Sequence, residues 1–158
     1  MEVPVNELSQ SIEINASPDD VFRTITDLPA MGRLSPENTG GTWLNGASGP
    51  AIGAKFKGTN ANGAKSWTTT VTVVELTPPH AFAFEVNVGP AKVARWAYAI
   101  EATPTGSRVT ESWIDRRSAL SKWIGGKSSG VAHRDQFTAQ SIQTTLENLK
   151  RTLEQATN

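Results

Sequence analysis

Apolar and polar positions alternate with period two through most of the chain, then switch to a helical period near its C-terminal end. Leu8, Ile12 and Ile14 alternate with polar residues and predict a strand over Leu8–Ile14. Ser17 fits an N-cap, Pro18 the first helical position and Asp20 the acidic partner of a capping box. The short helix that follows should bury Val21, Phe22 and Ile25 and end before Pro29. A second helical turn is expected around Met31–Leu34. From Thr39 to Asp115 the period is two, interrupted by turn residues. Asn62-Gly63 separates Ala54–Thr59 from Lys65–Leu76, and Thr77-Pro78-Pro79-His80 leads into Ala81–Val88. Gly89-Pro90 precedes Lys92–Ala102, and Pro104-Thr105-Gly106 precedes Arg108–Asp115. Four successive hairpins of this kind describe an antiparallel meander. At the end of the chain Ile142, Leu146, Leu149, Leu153 and Ala156 step by 4, 3, 4 and 3, one stripe of a helix starting near Val131. Some 25 helical residues would be roughly 38 Å long. The pattern predicts an α+β domain whose sheet wraps around the last helix.

Strand parity assigns faces. Phe82, Phe84, Val86 and Val88 share one face of their strand, and Trp96, Tyr98 and Ile100 share one face of the next. A turn over Thr103–Gly106 would pair Ile100 with Val109, Tyr98 with Glu111 and Trp96 with Trp113. In that register the large rings lie together and Glu111 points inward between them. A buried carboxylate is costly alone, so it should bond to Tyr98 or an arginine, or hold its proton to higher pH. Arg95 falls on the outer face.

The stripe of the last helix turns polar towards its start, passing Thr138 or Ala139 and then Asp135. A helix that loses its apolar face over half its length leaves room beneath that half. The expected pocket is lined by Trp67, Phe84, Val86, Trp96, Tyr98, Glu111, Trp113, Asp135 and Ile142.

Composition narrows the chemistry. The chain has 158 residues, 15 Lys and Arg against 15 Asp and Glu, five Trp and no Cys. The length suits one domain over 1–158. Zero net charge and a pI near 6.7 argue against nucleic-acid binding by bulk attraction. Without cysteine there is no disulfide, thiol nucleophile or Cys-ligated metal. Met1-Glu2-Val3-Pro4 has no signal-peptide pattern and no apolar run reaches membrane-spanning length, so a cytoplasmic location is expected. His80 and His133 stand too far apart to suggest a metal site, and no cofactor is expected. Gly46, Gly49 and Gly53 lie between strands, which suits a turn or lid and not a phosphate loop. Arg116, Arg117, Lys122 and Lys127 surround Leu120, Trp123 and Ile124, a candidate lid over 116–130.

The run Leu34-Ser35-Pro36-Glu37-Asn38-Thr39-Gly40-Gly41-Thr42-Trp43-Leu44 resembles the START-like, or SRPBCC, helix-grip superfamily, in its polyketide cyclase/dehydrase-like branch of actinobacterial type. Gly49–Asn60, Trp67, Phe82-Ala83-Phe84, Trp96-Ala97-Tyr98 and Arg108–Trp113 fit the same pattern. The resemblance covers nearly the whole chain. It implies a seven-stranded antiparallel sheet gripping the C-terminal helix, with a hydrophobic cavity between them. The superfamily includes lipid carriers, hormone receptors, aromatase/cyclases and chaperone activators. Three functions are therefore carried forward. The first is binding or transport of a small hydrophobic, aromatic or lipid-like molecule. The second is a cyclase- or dehydratase-like enzyme, with Glu111 or Asp135 as base and Tyr98 as donor. The third is a chaperone-type interaction module.

Overall fold

The computed structural model describes residues 7–117 and 134–155, apart from the side chains of Arg134 and Asp135. Its strands are β1 (Glu7–Ile14), β2 (Asn38–Trp43), β3 (Lys55–Asn62), β4 (Lys65–Thr77), β5 (Ala81–Val88), β6 (Ala91–Thr103) and β7 (Gly106–Asp115). They form one seven-stranded antiparallel sheet in the order β1-β7-β6-β5-β4-β3-β2. Helix α1 (Pro18–Ile25) and a 3-10 helix (Leu28–Arg33) follow β1, and α2 (Arg134–Gln155) ends the described chain. The fold is the expected helix grip.

Ser17 caps α1: its hydroxyl accepts the Asp20 backbone N–H at 3.2 Å. The Asp20 carboxylate does not close a capping box back onto Ser17 but pairs with Arg23, one turn along the exposed face. An arginine at i+3 is the stronger electrostatic partner there. Ser17→Ala is expected to lower stability by about 1 kcal/mol, read from urea denaturation. A change under a few tenths of that would mean that solvent satisfies the N–H equally well.

β1, β4, β6 and β7 run one or two residues beyond the expected bounds, β5 keeps them, and β3 starts one residue later and ends three residues later. A fifth hairpin joins β2 to β3 across the glycine-containing loop. Between β3 and β4 the chain turns in two residues, with positive φ (62°) at Gly63. Three register shifts, at Asn38/Gly40, Val73/Glu75 and Val86/Asn87, bend the sheet. The second shift is needed by the sequence itself. Val71, Val73 and Leu76 can share the inner face only if Val74 is an extra residue, and Val74 is exposed. The β6–β7 register is the expected one, with Trp96 opposite Trp113, Tyr98 opposite Glu111 and Ile100 opposite Val109.

Helix α2 closes the inner face. Ile142, Leu146, Leu149 and Leu153 pack into a core with Ile14, Val21, Ile25, Phe82, Ile100 and Val109. Side-chain N–H groups tie the helix to other elements by donating to backbone carbonyls: Gln10 Nε2 donates to Ala139 O at 2.9 Å and Asn148 Nδ2 to Leu34 O at 2.8 Å. Lys150 Nζ donates to Glu13 O at 3.1 Å. The N-terminal half of α2 makes a different surface, and it faces the cavity.

Candidate functional site

Beneath that half of α2 lies a cavity of about 360 Å³, within the roughly 300–1,000 Å³ usual for small-molecule pockets. The sheet supplies its broad wall. Trp67, Thr69 and Val71 come from β4, Phe84, Val86 and Val88 from β5, and Val93, Ala94, Trp96 and Tyr98 from β6. β7 adds Glu111 and Trp113. Helix α2 adds Phe137, Thr138, Ser141 and Thr145, and the rim carries Ser35, Glu37, Asn38 and Asn60. Apolar walls with a few polar groups are what a ligand pocket requires.

The polar focus is the pair Tyr98 and Glu111, set side by side by the β6–β7 register. Glu111 is 1 % exposed, and its Oε1 accepts the Tyr98 hydroxyl at 2.5 Å. Its Oε2 has no hydrogen-bond partner among the described residues. Burial pushes the Glu111 carboxyl up to about 8, against the opposing pull of the Tyr98 bond. Burial and the neighbouring carboxyl hold the Tyr98 hydroxyl well above its ordinary range. At neutral pH the pair is therefore uncharged: a carboxylic acid and a phenol joined by one hydrogen bond. Phe82 stacks on the Tyr98 ring, with centroids 6.5 Å apart and planes inclined by 19°, and so fixes its position.

At another part of the wall Arg117 folds back on Asp115. Its Nε and Nη2 bond the two carboxylate oxygens at 2.9 and 3.0 Å, and its backbone N–H bonds Oδ1 at 3.0 Å. Both side chains are about nine-tenths buried. The fork neutralises the guanidinium and holds it rigidly against the cavity.

Of the expected lining residues, Trp67, Phe84, Val86, Trp96, Tyr98, Glu111 and Trp113 come together around this cavity. Ile142 does not: it is fully buried in the core, because the inward stripe of α2 passes from cavity to core within one turn. The Asp135 side chain lies outside the described residues, as do residues 118–130 of the candidate lid with Trp123. Trp43 packs its ring edge-on to Phe56, with centroids 5.3 Å apart. Arg95 is on the outer face, 3.9 Å from Glu75. Unforeseen wall residues include Val93, Arg117, Phe137, Ser141 and Thr145. Arg117 continues the β7 alternation through Val109, Glu111, Trp113 and Asp115, so parity carried two residues further would have reached it. Among the described residues no His, Asp or Glu cluster suits a metal, and no helix is long and apolar enough to cross a membrane.

Residues 6–154 match the model of a family described as polyketide cyclase / dehydrase and lipid transport. No curated protein matches the sequence. Among solved structures, a polyketide cyclase-like protein of Corynebacterium glutamicum is 27 % identical, with TM-score 0.64, over 94 % of this chain and 91 % of that one. A protein of Nitrosomonas europaea is 14 % identical, with TM-score 0.70, over 98 % and 99 %. The di-domain ARO/CYC StfQ from the steffimycin biosynthetic pathway is 11 % identical, with TM-score 0.74, over 96 % of this chain but 51 % of its own. The last two show a shared fold alone.

Proposed function

This chain belongs to the polyketide cyclase/dehydrase and lipid transport family, and on that premise we propose that it binds a small hydrophobic or aromatic, lipid-like molecule between sheet and helix. The observation that carries this reading is the cavity of about 360 Å³ walled by Trp67, Phe84, Trp96 and Trp113. Large rings normally fill a core, yet Trp67 and Trp96 are only half-buried while standing on the inner face. Apolar surface left uncovered in a concave site gains free energy when a ligand covers it. The open cavity also weighs against a purely surface-acting, chaperone-type module.

N-phenyl-1-naphthylamine, a neutral fluorophore, tests the reading. Saturable one-to-one binding is expected, with energy transfer from the tryptophans. Trp96→Ala should weaken it about tenfold, since one wall ring is worth roughly 1–2 kcal/mol. Binding unchanged in both Trp96→Ala and Trp67→Ala would show that the fluorophore sits elsewhere and would remove the reading.

A cyclase- or dehydratase-like activity is the second reading, and one observation favours it. Glu111, expected as a base, keeps its proton to about pH 8 beside a phenol donor, which suits a general acid at neutral pH instead. Turnover lost in Glu111→Gln with binding retained would select this reading over binding alone.

A further inference from the structure

Resting on the binding reading above, we propose that the molecule this cavity selects is neutral and carries a carbonyl-type acceptor, held by a hydrogen bond donated from the Oε2 side of the Glu111 carboxyl group. The two carboxyl oxygens are not equivalent. Oε1 accepts the Tyr98 hydroxyl at 2.5 Å, while Oε2 is buried with no partner among the described residues, on a side chain that lines the cavity. In a neutral carboxyl group the oxygen that accepts a hydrogen bond is the carbonyl oxygen, so the proton belongs on Oε2. Tyr98 thereby makes Glu111 a one-directional donor. A buried donor without a partner is costly, and a site built around one discriminates by the bond that it completes.

The surroundings favour the neutral form. Tyr98 on β6 is the ionisable group in contact with Glu111, and it donates. Opposite on β1 stands Gln10, an amide engaged with Ala139. Helix α2 presents Thr138, Ser141 and Thr145, which are uncharged, while the Asp135 side chain lies outside the described residues. β5 presents Phe82 and Phe84, and the cavity's other described charged groups are Glu37 at the rim and Arg117, whose charge is met by Asp115. Burial, with no cation bonded to it among the described residues, keeps the carboxyl protonated up to about pH 8.

Two probes of equal shape test the inference, 2-acetylnaphthalene and 2-ethylnaphthalene, measured by displacement of N-phenyl-1-naphthylamine and by calorimetry. At pH 6.5 the ketone should bind about five- to tenfold more tightly than the hydrocarbon, as one completed neutral hydrogen bond allows. That preference should fade above about pH 8 as Glu111 ionises. Glu111→Gln keeps an acceptor for Tyr98 and offers an N–H in place of the acid proton, so it should retain the preference without the pH dependence. Glu111→Leu should abolish the preference, with folding checked by thermal unfolding. Equal affinity for the two probes, or a ketone preference that grows with pH, overturns the inference while leaving the binding reading intact. Failure of either probe and of the fluorophore to bind at all overturns both.

Discussion

Glu111→Gln is expected to be more stable than the wild-type protein above pH 8, although the substitution removes a residue of the cavity wall. The physical reason is linkage. Burial raises the folded-state value of this carboxyl from 4.5 to about 8. Above the lower value the unfolded chain releases its proton, while the folded protein keeps its own until the higher value. The folded state is therefore stabilised relative to the unfolded one at acid pH, and this contribution declines as pH rises from about 4.5 to 8, then levels off. Such a shift corresponds to at most ~5 kcal/mol across the window. Glutamine does not titrate, accepts the Tyr98 hydroxyl through its amide oxygen and shows no such decline. Urea denaturation of both proteins between pH 5 and 9 reads the difference directly, and subtracting the two curves cancels the histidines. A difference that moves by less than about 1 kcal/mol over that range would mean that the carboxyl is wetted or charge-paired in solution.

Gly41→Ala should be the more damaging substitution. Gly41 has φ +148° in the middle of β2, opposite Gly58 of β3. A Cβ there would stand 2.0 Å from the Lys57 carbonyl oxygen and 2.8 Å from the Phe56 ring. The first contact is backbone and cannot be relieved by a rotamer, and Phe56 is 1 % exposed and cannot withdraw. Relief requires β2 to lift from β3, breaking that ladder and the Trp43–Phe56 contact. Backbone strain and lost core packing together suggest at least about 3 kcal/mol. The midpoint of urea unfolding measures this. A loss below about 1 kcal/mol would show that the two strands do not approach so closely. Because Asn38 on β2 and Asn60 on β3 belong to the cavity rim, fluorophore affinity should fall as well.

The inward position of Glu111 was legible because three constraints agreed: the alternation of Trp96, Tyr98 and Ile100, that of Val109 and Trp113, and the length of the turn between them. Where one constraint stood alone, parity failed or stopped short. The extra residue at Val93, between Val86–Ala94 and Asn87–Lys92, carries no glycine to announce it, and it brings Val93 onto the cavity wall. On α2 the apolar stripe alone places Ile142 with the cavity, whereas the fold buries it in the core. Thr138, Ser141 and Thr145 step by three and four as well, a second stripe of small polar residues beside the first, and these face the opening. Hydrophobic periodicity finds what is packed; it is blind to a wall that faces empty space. The fork between Arg117 and Asp115 has no signal of its own in the sequence, where the two adjacent arginines open the candidate lid, whereas alternation sends one of the two inward.

The sheet order also bears on how the protein assembles. Neighbouring strands from β2 to β7 are joined by hairpins and can pair from residues near in sequence, whereas β1 must find β7, with Glu7 opposite Ile114 and Ile14 opposite Ser107. Closing so long a loop carries an entropy cost before any contact offsets it, so the β1–β7 ladder is expected to form late. The groups that close over Glu111 come from both ends of the chain: Gln10 on β1, and helix α2, to whose Ala139 carbonyl Gln10 donates. Until those ends meet, the meander carries Glu111 as an ordinary hydrated carboxylate. Their docking at neutral pH then draws about one proton from solvent, which makes the final closure of this fold a proton-consuming step.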